Sequence, residues 1–240
     1  MVKSMFKVNP HCVVSKVNIK GDSNFFYVVD DFLIDPQDVI AFAKQTAYFD
    51  PVGTDQTFYP GVRDKMPAPY GRNLVEWFKP IVSELYFSSA EVKSYSPLCK
   101  LSLVTLKPDE LNDQQKIPHI DSASENEFAF VHYLCDATHG GTSLYRYKPT
   151  GAVKISTSAA QLTHEMCQAA KATPEEHGGY LNGDTSLFER VAQVEAKFNR
   201  LVFYKSNLLH CADINSGHSY NKSVETGRLS VASFLYFEEV

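Results

Sequence analysis

Three side chains far apart along the chain have the types needed to share one metal ion. His119 and Asp121 stand two positions apart in "PHIDS", residues 118–122. On an extended segment, residues two apart point to the same side. A chain with eight histidines meets such a pair by chance, and an aspartate there also serves as an ordinary turn former. A third donor decides the matter. "RLVFYKSNLLH", residues 200–210, delivers His210 directly after an apolar run. Two imidazoles and one carboxylate occupy one face of an octahedral metal and leave the opposite face open, the donor set of non-haem Fe(II) oxygenases. The five cysteines are dispersed, with no Cys-x-x-Cys, so a closed structural zinc site is not expected.

Arg228 and Ser230, in "GRLSVASF", lie on one face of a further strand by the same period of two. An arginine directed into a β-core is costly unless an anion meets it. Its planar guanidinium suits a carboxylate held through two parallel hydrogen bonds. Metal ligands together with a buried Arg-x-Ser form the arrangement needed for a 2-oxoacid, with the keto-acid end on the metal and the far carboxylate on the arginine. The alternative for Arg228 is a surface cation at a strand start. Tyr133, in "FVHYL", is either core or a partner of that acid, and His132 beside it faces the other way. His139, in the Gly-Gly loop, either approaches the substrate or is solvated.

These residues need a scaffold, and the periodicity supplies one. Residues 25–29 read as a strand. A helix follows with Asp35 as cap and Pro36 as first residue, and a second covers residues 73–87, kinked at Pro80. Between them, residues 49–72 are rich in Pro, Gly and Tyr and read as a long functional loop. Within it, "FYPGVR" is either a lid placing Tyr59 and Arg63 over a substrate or a packed loop. From residue 98 the pattern alternates, and residues 98–108, 127–134, 141–147, 199–206 and 228–237 read as strands. Residues 151–185 interrupt them with a helix over 156–172 and a loop. Residues 186–198 fit either a helix with a Ser186/Glu189 capping box or a strand, and the need for a partner strand favours the strand. The fold expected is α+β with a mainly β core: a jelly roll over residues 98–240, carrying a helical insertion at 151–185, with residues 1–97 as helix-rich support and lid in one domain.

The order of these pieces resembles the 2-oxoglutarate/Fe(II)-dependent dioxygenases, in particular the prolyl 4-hydroxylase-like branch. It runs "LSLVTLKP", His119-Ile-Asp121, "FVHYL", "HGGTSLY", "RLVFYKSNLLH" and Arg228-Leu-Ser230, and it covers about residues 98–237. The spacing from His210 to Arg228 is longer than the family pattern, so either the intervening "NSGHSYNKSVETG" forms an extended hairpin tip or Arg228 is not the residue that grips the ketoacid. The resemblance implies a double-stranded β-helix in which His119, Asp121 and His210 bind Fe(II). Arg228 holds 2-oxoglutarate, with Ser230 and Tyr133 as helpers. The reaction it implies consumes O2, releases succinate and CO2 and hydroxylates a C–H bond of a small molecule or a protein side chain. Ascorbate is a candidate reductant and a homodimer a candidate assembly. The rival expectations are a non-catalytic jelly roll that keeps the pocket as a binding site, and a cupin-like hydrolase or isomerase, which would favour more histidines.

Composition is consistent with this reading. The chain has 240 residues, 44% of them hydrophobic, and a net charge of −5. It carries no basic stripe for nucleic acid and no apolar run that could span a membrane. An odd, scattered set of thiols without an export signal is expected of a cytoplasmic protein.

Overall fold

The computed structural model describes residues 5–55, 57–87 and 91–240. Eleven strands and three α-helices follow one another along the described residues. The N-terminal part contributes β1 (Val13–Asn18), β2 (Phe25–Asp30), α1 (Gln37–Gln45), β3 (Gly61–Lys65), α2 (Ala68–Tyr86) and β4 (Val92–Ser94). The remainder comprises β5 (Leu98–Val104), β6 (Glu127–Tyr133), β7 (Gly141–Tyr147), α3 (Ala159–Lys171), β8 (Phe188–Glu195), β9 (Arg200–Lys205), β10 (His210–Asp213) and β11 (Leu229–Glu239).

The larger sheet has the order β1-β2-β9-β6-β11-β5-β3, with β4 added beside β11. The smaller has the order β10-β7-β8. The His119 segment extends it, because His119 and His210 form an antiparallel bridge. From β5 onward the chain therefore passes between the sheets: β5 in the large one, the His119 segment in the small one, β6 in the large one, β7 and β8 in the small one, then β9, β10 and β11 in alternation. This is a double-stranded β-helix, or jelly roll, as the alternating patterns required.

Three apolar clusters divide the work. Leu101, Leu103, Phe130, Phe203, Leu229 and Val231 project from the outer face of the large sheet onto α1 and α2. Tyr133, Leu144, Val194, Val202 and Tyr204 fill the space between the sheets. Tyr145, Phe188 and Cys211 leave the outer face of the small sheet and meet Met166, Cys167 and Ala170 of α3. The 151–185 insertion thus covers the back of the small sheet. The Gly140–Gly141 pair admits β7 between its neighbours. Gly140 has φ +96°, and a Cβ there would lie 1.8 Å from the Asp213 carbonyl oxygen; one at Gly141 would lie 1.9 Å from that of Val194.

Several boundaries differ from the sequence reading. The 49–72 segment contains a strand, β3, and α2 begins at Ala68 rather than at residue 73. Helix α1 starts after Pro36, which occupies the N-cap position without a side-chain cap. Pro80 lies inside α2 on its exposed face, so the carbonyl its ring leaves unpaired is on the solvent side of the helix. Residues 188–195 are a strand, as the topology demanded. All five cysteines are free thiols. Among the described residues no helix is long and apolar enough to cross a membrane.

His132 faces the outer cluster, opposite Tyr133, and is fully buried. Its Nε2–H donates to Asn199 Oδ1 (3.2 Å), and its Nδ1 accepts from the Tyr70 hydroxyl (3.1 Å). Asn199 in turn grips the backbone of Leu33 through both ends of its amide. This chain ties α2, β6 and the turn before β9 together, with neutral imidazole at its centre. Burial depresses the His132 pKa from 6.5 to about 4. The unfolded chain therefore takes up a proton first as pH falls. Stability is unaffected above pH 7 and decreases through the window from 6.5 to about 4 by roughly 3 kcal/mol from this group. Urea unfolding of the native protein and of His132→Gln at pH 7 and pH 4.5 is the check. The native protein should lose more stability than the variant, whereas equal losses would contradict the role given to His132.

Candidate metal centre

The His119–Asp121 arm is held by backbone pairing and by Ile120, which packs against the outer cluster of the small sheet. His119 and His210 exchange N–H···O bonds of 2.9 Å in both directions, and the Asp121 N–H donates to the Ser206 carbonyl at 2.9 Å. The arm lies along β10 as an added ribbon and brings the three expected ligands together. Their donor atoms all fall within 4.8 Å of one another. His210 Nε2 lies 3.3 Å from Asp121 Oδ2, and His119 Nε2 lies 3.8 Å from Asp121 Oδ1. The Tyr204 ring packs against His210, with centroids 4.7 Å apart.

The protonation pattern favours a cation. His210 Nδ1 donates to the Leu208 carbonyl at 2.9 Å, which leaves the Nε2 lone pair facing Asp121. Such an outer partner fixes tautomer and ring orientation at metal sites. Burial pushes the His210 pKa down to about 4 and the Asp121 pKa up to about 6. Neutral imidazole nitrogen and carboxylate oxygen 3.3 Å apart, with no proton between them, repel one another. A divalent cation removes that repulsion and restores the ionised carboxylate. Two nitrogens and one oxygen, without thiolate, fit a first-row divalent metal with an open face. His119 lies at the rim, with its side chain half exposed.

Arg228 immediately precedes β11 and is 2% exposed. Its Nη2 donates to the Gly141 carbonyl at 2.6 Å, and its guanidinium lies 5.6 Å from the centre of the Tyr133 ring. Among the described residues no carboxylate pairs with it, and its Nε has no hydrogen-bond partner. Ser230, also 2% exposed, follows on the same face. The Tyr133 hydroxyl is engaged with Thr142 Oγ1 at 2.5 Å, so Tyr133 offers Arg228 a ring face rather than a free donor. His139 and His218 hold one another through their Nδ1 atoms at 3.0 Å, and His218 is pushed down to about 4, chiefly by burial.

The sequence left Tyr59 and Arg63 undecided between lid and packed loop. Arg63 belongs to β3 and is 8% exposed. It pairs in register with Ser102, Ser102 with Ser230, and Ser230 with Tyr133. All four side chains therefore face the space between the sheets. The Tyr59 ring lies under the Arg63 guanidinium, 4.9 Å away, and its hydroxyl is buried with no hydrogen-bond partner among the described residues. A tyrosine in "FYPGVR" carried only a weak signal of this.

The family model described as "Family of unknown function (DUF6445)" matches residues 10–235, and the chain belongs to that family. No curated protein matches it. Among solved structures, HygX from Streptomyces hygroscopicus with nickel, 2-oxoglutarate and hygromycin B bound is 10% identical. The match covers 90% of this chain and 84% of that one, with a TM-score of 0.49. The non-heme alpha ketoglutarate dependent epimerase SnoN from nogalamycin biosynthesis is 12% identical over 88% and 78% of the two chains, TM-score 0.46. The viral collagen prolyl hydroxylase vCPH from Paramecium Bursaria Chlorella virus-1 is 11% identical over 91% and 98%, TM-score 0.43.

If the three ligands hold one ion, Mn(II) at a hundred times its dissociation constant adds about 2.7 kcal/mol and raises the Tm by roughly 5–10 °C. Asp121→Ala and His210→Ala should each abolish that rise in a thermal melt while still unfolding cooperatively. A full Mn(II)-dependent rise in either variant would place the ion elsewhere.

Proposed function

We propose that this member of the DUF6445 family is a non-haem Fe(II)- and 2-oxoglutarate-dependent dioxygenase that hydroxylates an unactivated C–H bond. The observation that carries this reading is a His-Asp-His donor set with its atoms within 4.8 Å of one another, in a jelly roll that also buries the Arg228 guanidinium with no carboxylate at ion-pair distance among the described residues. A 2-oxoacid has one end for each.

In this reading His119, Asp121 and His210 hold iron, and the cost of burying their acceptor atoms side by side is offset by the ion. Iron, when bound, supplies the O2 chemistry: one oxygen atom goes to 2-oxoglutarate, giving succinate and CO2, and the other becomes the hydroxyl of the product. Arg228 fixes the far carboxylate of 2-oxoglutarate. Its Nη2 is already oriented by Gly141 and the Tyr133 ring backs it, so little side-chain freedom is lost on binding. Ser230 and the Tyr59 hydroxyl donate to the same carboxylate from the β11 side and the β3 side. Walls supplied by Leu144, Val202 and Tyr204 exclude water and strengthen each of these contacts.

Succinate formation from 2-oxoglutarate with Fe(II), O2 and ascorbate tests the proposal. The native protein should give succinate above the protein-free control, and none under nitrogen. A hydrogen bond to a charged group contributes about 1.5–3 kcal/mol, so Arg228→Met should weaken 2-oxoglutarate binding by roughly 10–100-fold while Mn(II) binding is retained. Ketoacid binding without succinate would favour a non-catalytic binding protein instead.

A further inference from the structure

A pair of histidines that the metal centre does not use is tied to Arg228. His139 ends the turn Ala137–His139, and His218 lies in the loop after β10. Their Nδ1 atoms are 3.0 Å apart, so one ring donates to the other and a single proton lies between them. The two segments are locked together around this contact. Asn215 Nδ2 donates to the carbonyls of Ala137 (2.9 Å) and Thr138 (3.3 Å), and the His218 N–H donates to the Asn215 carbonyl at 2.9 Å. The Tyr220 ring stands edge-on to His218, centroids 4.6 Å apart, and stacks on Tyr180 of the 151–185 insertion. Gly140 and Gly141 follow His139 directly, and the Gly141 carbonyl accepts the Arg228 Nη2–H at 2.6 Å.

Among the described residues the charged groups facing the pair are Asp136, at the start of the same turn, and Arg228. Burial is the main force that holds both rings neutral; Asp136 opposes it at His139, and the Arg228 guanidinium adds to it at both rings. His139 is thereby held below its ordinary 6.5 and His218 at about 4. The Tyr180 and Tyr220 hydroxyls are pushed upward by burial and stay neutral. The surroundings also decide which ring donates. His218 is 5% exposed, and the Val104 carbonyl favours a proton on that ring. The contact is loose, since His218 Nε2 makes no hydrogen bond of good geometry among the described residues. With the His218 proton on Nε2, its Nδ1 accepts from His139 Nδ1–H. The free lone pair is then His139 Nε2, on the more exposed ring. A further proton can bind there without breaking the pair, and the imidazolium so formed donates a stronger, charge-assisted hydrogen bond to His218.

We propose that the His139–His218 pair is a proton acceptor coupled to Arg228, so that a carboxylate binding at the guanidinium brings one proton from solvent onto His139 Nε2. Naming 2-oxoglutarate as that carboxylate rests on the dioxygenase reading; the coupling itself does not. While Arg228 is unpaired, its positive charge helps to keep His139 neutral. A carboxylate on the guanidinium cancels that charge, and the imidazole becomes easier to protonate. The ketoacid is then held by a fixed cation, Arg228, and by a second one that forms only when the ketoacid arrives. The pKa of His139 is lower in the free protein than in the complex. The gain in affinity is therefore absent above the pKa of the complex, grows as pH falls between the two values, and is complete below that of the free protein. Acid tightens ketoacid binding through this pair, and His218 stays neutral throughout.

The test counts protons. N-oxalylglycine is titrated into the Zn(II)-loaded full chain by calorimetry, near pH 6.5, in two buffers of unlike ionisation enthalpy. The native protein should take up about 0.3 proton or more per ligand bound, and its affinity should rise at least about twofold from pH 8 to pH 6. His139→Asn, whose amide keeps a donor near the Nδ1 position, should lose both the uptake and the rise. In metal-free, ligand-free protein, nitrogen-15 NMR of the imidazoles should find His139 protonated at Nδ1 and His218 at Nε2. There Arg228→Met should raise the His139 pKa by about half a unit or more. Ligand binding without proton uptake, equal uptake in His139→Asn, the reverse pair of tautomers, or a His139 pKa unmoved in Arg228→Met would overturn the proposal. Failure of the native protein to bind N-oxalylglycine would instead count against the dioxygenase reading, and the ligand-free NMR comparison would still decide the coupling.

Discussion

Two backbone hydrogen bonds between His119 and His210 hold the functional cavity together. They attach the His119–Asp121 arm, otherwise loop, to the edge of a three-stranded sheet. Without them the carboxylate of Asp121 has no reason to lie 3.3 Å from an imidazole nitrogen. The sheet edge is useful here because it is open: β10 has β7 on one side only, and its free N–H and C=O groups need a partner. The jelly roll supplies that partner from the chain segment that carries His119 and Asp121, two of the proposed metal ligands. Fold closure and site assembly are therefore the same event.

Charge is the second organising constraint. Residues between the sheets of a sandwich are normally apolar, and the inner cluster around Leu144, Val194 and Val202 obeys this. At the β3, β5 and β11 side, however, Arg63, Lys100 and Arg228 replace apolar positions. Asp55 answers two of them in part, and the buried Asp213 acts on Arg228 only beyond ion-pair distance. The outer layers support this arrangement: α1 and α2 back the large sheet through Phe78, Phe130 and Phe203, and α3 backs the small one. The cost of keeping polar groups inside is met by extensive burial elsewhere.

Much of this was legible in the sequence, and what was not has a physical reason. β5, β6, β7, β9 and β11 alternate apolar and small or polar residues, and the period of two identified each. Strand β8 was ambiguous because Leu187, Val191, Val194 and Phe198 also fit helical spacing; only the demand for a partner to β7 resolved it. β3 was missed because its inward positions are Gly61, Arg63 and Lys65, so the usual apolar signal is inverted and only Val62 marks the buried outer face. His119, Asp121 and His210 could be grouped from chemistry and order. Ser102 could not, because its place beside Arg63 and Ser230 comes from register across three strands, which no local pattern records.

The most direct measurement is an anomalous-scattering map at the manganese edge from crystals grown with Mn(II) and N-oxalylglycine. It should show one ion within about 2.0–2.4 Å of His119 Nε2, His210 Nε2 and an Asp121 oxygen, chelated by the oxalyl group, with the far carboxylate on Arg228. A peak bound elsewhere, or an oxalylglycine whose carboxylate turns away from Arg228, would contradict the assignment of this cavity.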